Sequence, residues 1–223
     1  MKRTPLKDRV LPGYTKEEEI FNMTSHIVGG AFAIIALIMC IAVASWKHNV
    51  WGIVSGAIYG STLVILYTMS SIYHGLKSST AKKVFQVIDH CAIFLLIAGT
   101  YTPILLNSFR EAHPGFAWSL FGVNWGMVLI GVTLNAIDIS KYRKLSLACY
   151  IGMGWCIVVA AGPMVKVFPP AALILLLLGG IVYTIGAGFY AVGRRRKYMH
   201  SIFHIFVLAG SVLHFCCILL YVL

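Results

Sequence analysis

Seven long apolar runs separated by short polar gaps organise the chain. They fall at 25–46, 51–74, 84–108, 117–137, 146–165, 170–192 and 201–222. Each is close to the ~20 residues that an α-helix needs to cross a bilayer. Transmembrane β-strands would instead show alternating segments of about ten residues. The pattern predicts an all-α fold, a seven-transmembrane helix bundle over 25–223, behind a short tail at 1–24. The gaps are too short to hold a soluble domain.

Within the runs, small residues recur at helical spacing. Gly52, Gly56 and Gly60 form a small-xxx-small face, and Gly179, Gly180, Gly186 and Gly188 cluster in the sixth run. Both are expected to let helix backbones approach closely, since lipid offers no hydrophobic drive to association. Pro103 and Pro163 predict kinks, and Pro169 and Pro170 mark the start of the sixth span.

Composition excludes the alternatives. The 223 residues are 59% hydrophobic and 11% charged, against about a quarter charged for a soluble domain. Disorder fails on the same numbers. The net charge of +11 does not point to nucleic acid, because the cations sit in the gaps between apolar runs. There they set topology and meet anionic phospholipid headgroups. Of 18 Lys and Arg, fifteen fall in the tail and the even-numbered gaps, including Lys2, Arg3, Lys83, Lys141, Arg194 and Arg195. Only Lys47, Arg110 and Lys166 fall on the other side. The positive-inside rule then places the amino terminus in the cytoplasm and the carboxyl terminus outside, in the cell membrane, opposite to a G-protein-coupled receptor. The first 20 residues show no removable signal peptide. The six cysteines form no CxxC pair and read as small buried side chains.

Polar residues inside the spans carry the chemistry, because an ionisable group there costs about 2.5–3.5 kcal/mol even on a lenient scale. Of the seven acids only Asp89 lies within a run. His74 ends the second span, Asp89 lies one to two turns into the third, and His200 and His204 open the seventh. With the orientation above, all four share one depth near the cytoplasmic side. His200 and His204 stand one turn apart on one helix face. Three imidazoles with one open position are a usual catalytic zinc site. Ligands without thiolate favour zinc, with iron and manganese as other fits. Ser70, one turn before His74, either donates to a carboxylate, water or substrate, or bonds back to its own helix.

Other polar residues take structural readings. His90 points about 100° from Asp89 and reads as packed or headgroup-facing. His214 lies too deep for the site and reads as a hydrogen-bonded core histidine. His26, near the start of the first span, could support the ligands. Glu17–Glu19 read as a solvated helix start, with Thr15 as its cap.

The segments SSIYH (70–74), IDHCAIFLLIAGTYTP (88–103) and HSIFH (200–204), in that order and spacing, resemble the bacterial hemolysin III-type proteins of the progestin and adipoQ receptor family, which is related to the alkaline ceramidases. The resemblance runs from EEIFNMTSHIVGG to HSIFHIFVLAGSVLHF. It implies a seven-helix fold with a cytoplasmic-side zinc ion. His74, His200 and His204 match the metal-binding histidines, Asp89 the carboxylate that meets zinc directly or through its water, and Ser70 the serine beside it. The family's eukaryotic receptors carry a large cytoplasmic amino-terminal domain; the short tail expected here speaks against a hormone-receptor role. The resulting expectation is a zinc-dependent hydrolase of a membrane lipid amide. In it Asp89 serves as general base and Ser70 orients water or the oxyanion; ceramide-like substrates are implied by the resemblance alone. Two other readings are a non-catalytic, zinc-stapled membrane sensor or regulator, and the cytolysis that the family's name implies. Ion transport fits poorly, since the outer halves of the spans contain no acid.

Overall fold

The computed structural model describes residues 4–193 and 196–223. Lys2, Arg3, Arg194 and Arg195, used above to set orientation, lie outside them. The described residues form helices and no β-strand. In chain order the helices are α1 (Lys16–Trp46), α2 (Val50–Gly75), α3 (Thr80–Pro103), α4 (Pro114–Trp155), α5 (Ala161–Val167), α6 (Pro170–Val192) and α7 (Met199–Cys217).

Helix α1 starts at Lys16, ahead of the apolar run. A complete capping box fixes that start: Thr15 accepts from the Glu18 N–H, and the Glu18 carboxylate accepts from the Thr15 N–H, satisfying two otherwise orphaned donors. At 1.5 Å per residue its 31 residues span about 46 Å, so its first turns extend past a hydrocarbon core of about 30 Å.

Among the described residues, six helical elements are long and apolar enough to cross a membrane, against seven apolar runs in the sequence. The difference falls on one 46-residue element, Pro114–Val159. As a straight helix, α4 would reach about 63 Å. It does not, because Asp138 has φ −165° and ψ 100° and the chain reverses there. Asn135 and Ser146 hydrogen-bond at 2.8 Å, and Asn124 Nδ2 lies 3.4 Å from Cys156 Sγ, 32 residues away. The limbs 114–137 and 139–155 are thus antiparallel. The Asp138 carboxylate caps the second limb, accepting from the N–H groups of Ser140 and Lys141 at 3.1 Å each.

The fifth apolar run, 146–165, is not one helix. It passes through a 3-10 segment, Cys156–Ala160, into the short α5. Pro163 has no N–H and clashes with the turn before it. The Tyr101 hydroxyl bridges the break, accepting from the Ile157 N–H at 3.1 Å and donating to the Gly154 carbonyl at 2.8 Å. Pro103 is followed by a wide turn, Ile104–Phe109, and Pro170 opens α6 at its first position.

The glycine faces serve packing within the chain. A Cβ at Gly60 would sit 2.6 Å from Leu37 Cα, and one at Gly56 3.1 Å from Cys40 Cβ, so α2 lies directly on α1. Gly186 gives α7 the same closeness, with a Cβ there 2.8 Å from Phe206 Cβ. Gly188 faces open space. All six cysteines are free. The result gathers the start of α1, the end of α2, the start of α3 and the start of α7 at one end of the bundle.

Candidate metal centre

The site is built at that end from residues far apart in sequence. His74 lies in the last turn of α2, where Gly75 ends the helix. His200 and His204 occupy the first two turns of α7. All three imidazoles are buried, and one ring nitrogen from each lies within 4.8 Å of the others. This cluster could hold a metal ion. His200 Nε2 and His204 Nε2 face each other at 3.2 Å, and His74 Nε2 is buried with no hydrogen-bond partner. Such orphaned buried nitrogens are costly. A cation between the rings would engage the lone pairs together.

Neighbours hold the rings in place. Glu19, from the first turn of α1, accepts from His74 Nδ1 at 2.6 Å and pairs with Lys82 Nζ at 2.7 Å. A proton on Nδ1 leaves the Nε2 lone pair for a ligand, the arrangement by which an outer carboxylate fixes a metal-binding imidazole. Ser25 Oγ lies 3.5 Å from His204 Nδ1. Tyr14 stacks on His200, with centroids 4.9 Å apart and planes 13° apart. His26 stacks on His204 at 3.7 Å.

Asp89 and Ser70 are both buried and stand beside this cluster, on the wall of one small cavity. Asp89 is not in the group of three donors within 4.8 Å. Instead Ser70, Asp89, His200 and His204 line a cavity of about 20 Å³, enough for one water molecule. The geometry therefore separates three imidazole donors from a Ser–Asp pair, with space for water between them. An apolar cavity of about 130 Å³ adjoins this one and shares Leu66, Ile93, Tyr190, Phe203 and Val207 with it.

Several readings of single residues can be settled. His90 Nδ1 bonds the Gln86 carbonyl at 2.9 Å and lies 3.5 Å from Asp89 Oδ2, and its ring lines the small cavity. His214 bonds the Leu176 carbonyl at 3.2 Å, as a core histidine should. Glu17 is exposed, but Glu18 and Glu19 are not a solvated run. Glu18 is buried and accepts from the Tyr198 N–H at 2.7 Å, and Glu19 reaches His74. The expectation missed them because their partners lie 180 and 55 residues away. Glu18, Asn22 and His26, recurring every four residues on one buried face of α1, were the available signal. Tyr14 left no local signal.

Comparison with known proteins agrees with this picture. The family model for haemolysin-III-related proteins matches residues 14–215. Hemolysin-3 of Bacillus cereus is 38% identical over 207 residues, 93% of each chain. A Hemolysin-3 homolog of Bacillus subtilis is 35% identical over 208 residues, 93% of this chain and 96% of its own. The human monocyte to macrophage differentiation factor is 27% identical over 219 residues, 96% of this chain and 87% of its own. With a matched region that contains every residue of the histidine cluster, this multi-pass membrane protein belongs to the haemolysin-III-related family.

Proposed function

We propose that the protein is a zinc-dependent hydrolase of a membrane lipid amide. The observation that carries this reading is the pairing of three imidazole donors with a one-water cavity lined by Ser70 and Asp89. A purely structural zinc site has four protein ligands, whereas this cluster supplies three. His74, His200 and His204 would hold the ion, and Glu19 and Ser25 would orient two of the rings. Bound there, zinc supplies Lewis acidity to a substrate carbonyl and brings a water pKa toward ~7.

The chain's own groups do the rest. Asp89 accepts the proton of the attacking water on a carboxylate oxygen, then returns it to the departing amine nitrogen. Ser70 donates its hydroxyl hydrogen to Asp89 in the resting site and turns it toward the developing oxyanion during attack. The adjoining apolar cavity takes part of an acyl chain, which explains why the site is embedded rather than exposed. Burial of the cluster excludes bulk water and keeps the proton path short.

Seven crossings with a cytoplasmic amino terminus complete the proposal. The antiparallel limbs of α4 support it, the first long enough for one pass and the second continued by the 3-10 segment and α5, and so does the crowding of Lys and Arg at the metal-centre end. Reporter fusions at residues 1 and 223 should report opposite sides.

The chemical reading is tested by incubating metal-loaded full chain, in nanodiscs of defined lipids including a ceramide, with product analysis by mass spectrometry. Release of fatty acid and free amine that stops with Asp89→Asn, and with chelation, is expected. Turnover unchanged by Asp89→Asn would overturn the base assignment. A zinc-replete chain inert toward every acyl amide and ester would overturn hydrolysis.

A further inference from the structure

A second cavity, of about 760 Å³, opens at the same end of the bundle but outside the histidine cluster. Three parts of the chain wall it: Thr4 and residues 8–14, the turn at Asp138–Lys141, and Gly193, Arg196 and Lys197 between α6 and α7. Its charged walls are Arg9, Lys141, Arg196 and Lys197, against Asp8, Glu18 and Asp138. Two of those acids are already engaged, Glu18 by the N–H groups of Thr15 and Tyr198 and Asp138 by those of Ser140 and Lys141. Among the described residues, none of the four cations forms an ion pair.

Arg9 is the decisive residue. It is 5% exposed, a rare state for an unpaired arginine. Its guanidinium bonds only carbonyls, those of Thr4 at 3.3 Å, Ala136 at 3.1 Å and Ile137 at 2.5 Å. Its Nη1 is buried with no partner. Its nearest carboxylate, Asp138, forms no ion pair with it and is already engaged by the N–H groups of Ser140 and Lys141, so a buried cation keeps an orphaned donor, which is costly. The natural remedy is an oxyanion that enters the cavity.

We infer that this cavity is a phosphoryl-binding site, in which a phosphate group is held between Arg9 and the Lys141, Arg196 and Lys197 side chains. The cations arrive from three separate segments and therefore from different directions. A tetrahedral phosphate presents acceptors to all of them, whereas a planar carboxylate suits a single arginine fork. Lysine and arginine at headgroup depth also match an anionic phospholipid. The shared chemistry is a phosphoryl anion, from either a lipid headgroup or a soluble phosphate. This inference does not depend on the proposed hydrolysis.

The test uses the full chain and two probes. In zwitterionic nanodiscs, thermal stability is followed against inorganic phosphate and pyrophosphate, with acetate at equal ionic strength as the comparison. In a parallel arm, phosphatidylglycerol retention in detergent is measured by native mass spectrometry. The variant Arg196→Gln/Lys197→Gln removes two exposed walls without touching a buried group. Lys77→Gln/Lys144→Gln removes equal charge at the same end, outside the cavity. Binding of the soluble probe, the lipid, or both is expected to weaken about tenfold or more in the first variant and to hold within about twofold in the second. A response to the soluble probe identifies free phosphate as the source, and a response to the lipid alone identifies the headgroup. Equal weakening in both variants would mean diffuse surface attraction and would overturn the site. So would indifference of the wild-type chain to both probes, or an equal response to acetate.

Discussion

The two ends of the bundle bury polar groups in opposite ways. At the end away from the metal centre, Asn49, Ser55 and Asn107 close a network on themselves. Asn49 Nδ2 donates to Asn107 Oδ1 at 3.0 Å, Asn107 Nδ2 to Ser55 Oγ at 2.7 Å, and Ser55 Oγ to the Trp51 carbonyl at 2.6 Å. Asn49 Oδ1 also caps α2 through the Gly52 N–H at 2.9 Å. At the other end, His74 Nε2, His200 Nδ1, both nitrogens of His26 and both polar atoms of Asn22 are buried without partners. A satisfied network fixes helix ends; an unsatisfied one is where a ligand completes the structure. Unpartnered atoms occur singly elsewhere, at Tyr59, Asn124 and His214, but they cluster at the histidine end.

The sharpest break of that comparison removes a ligand. His200→Ala should take zinc content from about one per chain to near zero, since two imidazoles remain where three are needed. Elemental analysis of the purified protein checks it, and Asn107→Ala should leave the zinc in place. Next in size is Asp89→Asn. Zinc should stay, while lipid turnover falls about 10²–10⁴-fold, the usual contribution of a general base. Loss of metal and activity together would instead place Asp89 among the ligands.

Glu19→Gln should weaken zinc affinity about 10–100-fold, as other carboxylates behind metal-binding imidazoles do. Glu17→Gln, exposed two residues away, should change nothing; competition with a chelating dye measures both. At the opposite end, Asn107→Ala should cost about 1–3 kcal/mol of stability by orphaning its partners, read as a lower melting temperature at unchanged metal content.

The smallest effect concerns pH. Hydrogen bonds from Thr4, then from the Lys141 and Ser140 N–H groups, with Arg9 nearby, hold the Asp138 carboxyl below its ordinary value against the opposing effect of burial. A carboxyl depressed in the fold stabilises it above the unfolded pKa of about 3.9. That contribution fades as pH drops through the lower folded value. The melting temperature should therefore fall more steeply below about pH 4 in the wild type than in Asp138→Asn.

Much of this was legible in the sequence, for physical reasons. Membrane spans announce themselves by length and apolarity, and an ionisable residue inside one is rare enough to notice. Hence Ser70, His74, Asp89, His200 and His204 could be picked out, and their common depth followed from counting lysines and arginines. What escaped were contacts between distant segments. Nothing near Glu19 shows that it faces His74, and nothing near Tyr14 shows that it covers His200. The break at 156–160 escaped because hydropathy is blind to hydrogen bonding: residues 146–165 remain apolar whether or not Tyr101 interrupts the helix. The reversal at Asp138 was visible only as an acid between two apolar runs.

The central claim is a zinc ion gripped by His74, His200 and His204. X-ray absorption spectroscopy at the zinc edge, on the purified full chain, tests it most directly. The account predicts three imidazole nitrogens at about 2.0–2.1 Å and one oxygen, with the imidazole scattering lost in His200→Ala. A chain that binds no zinc, or binds it through sulfur, would contradict it.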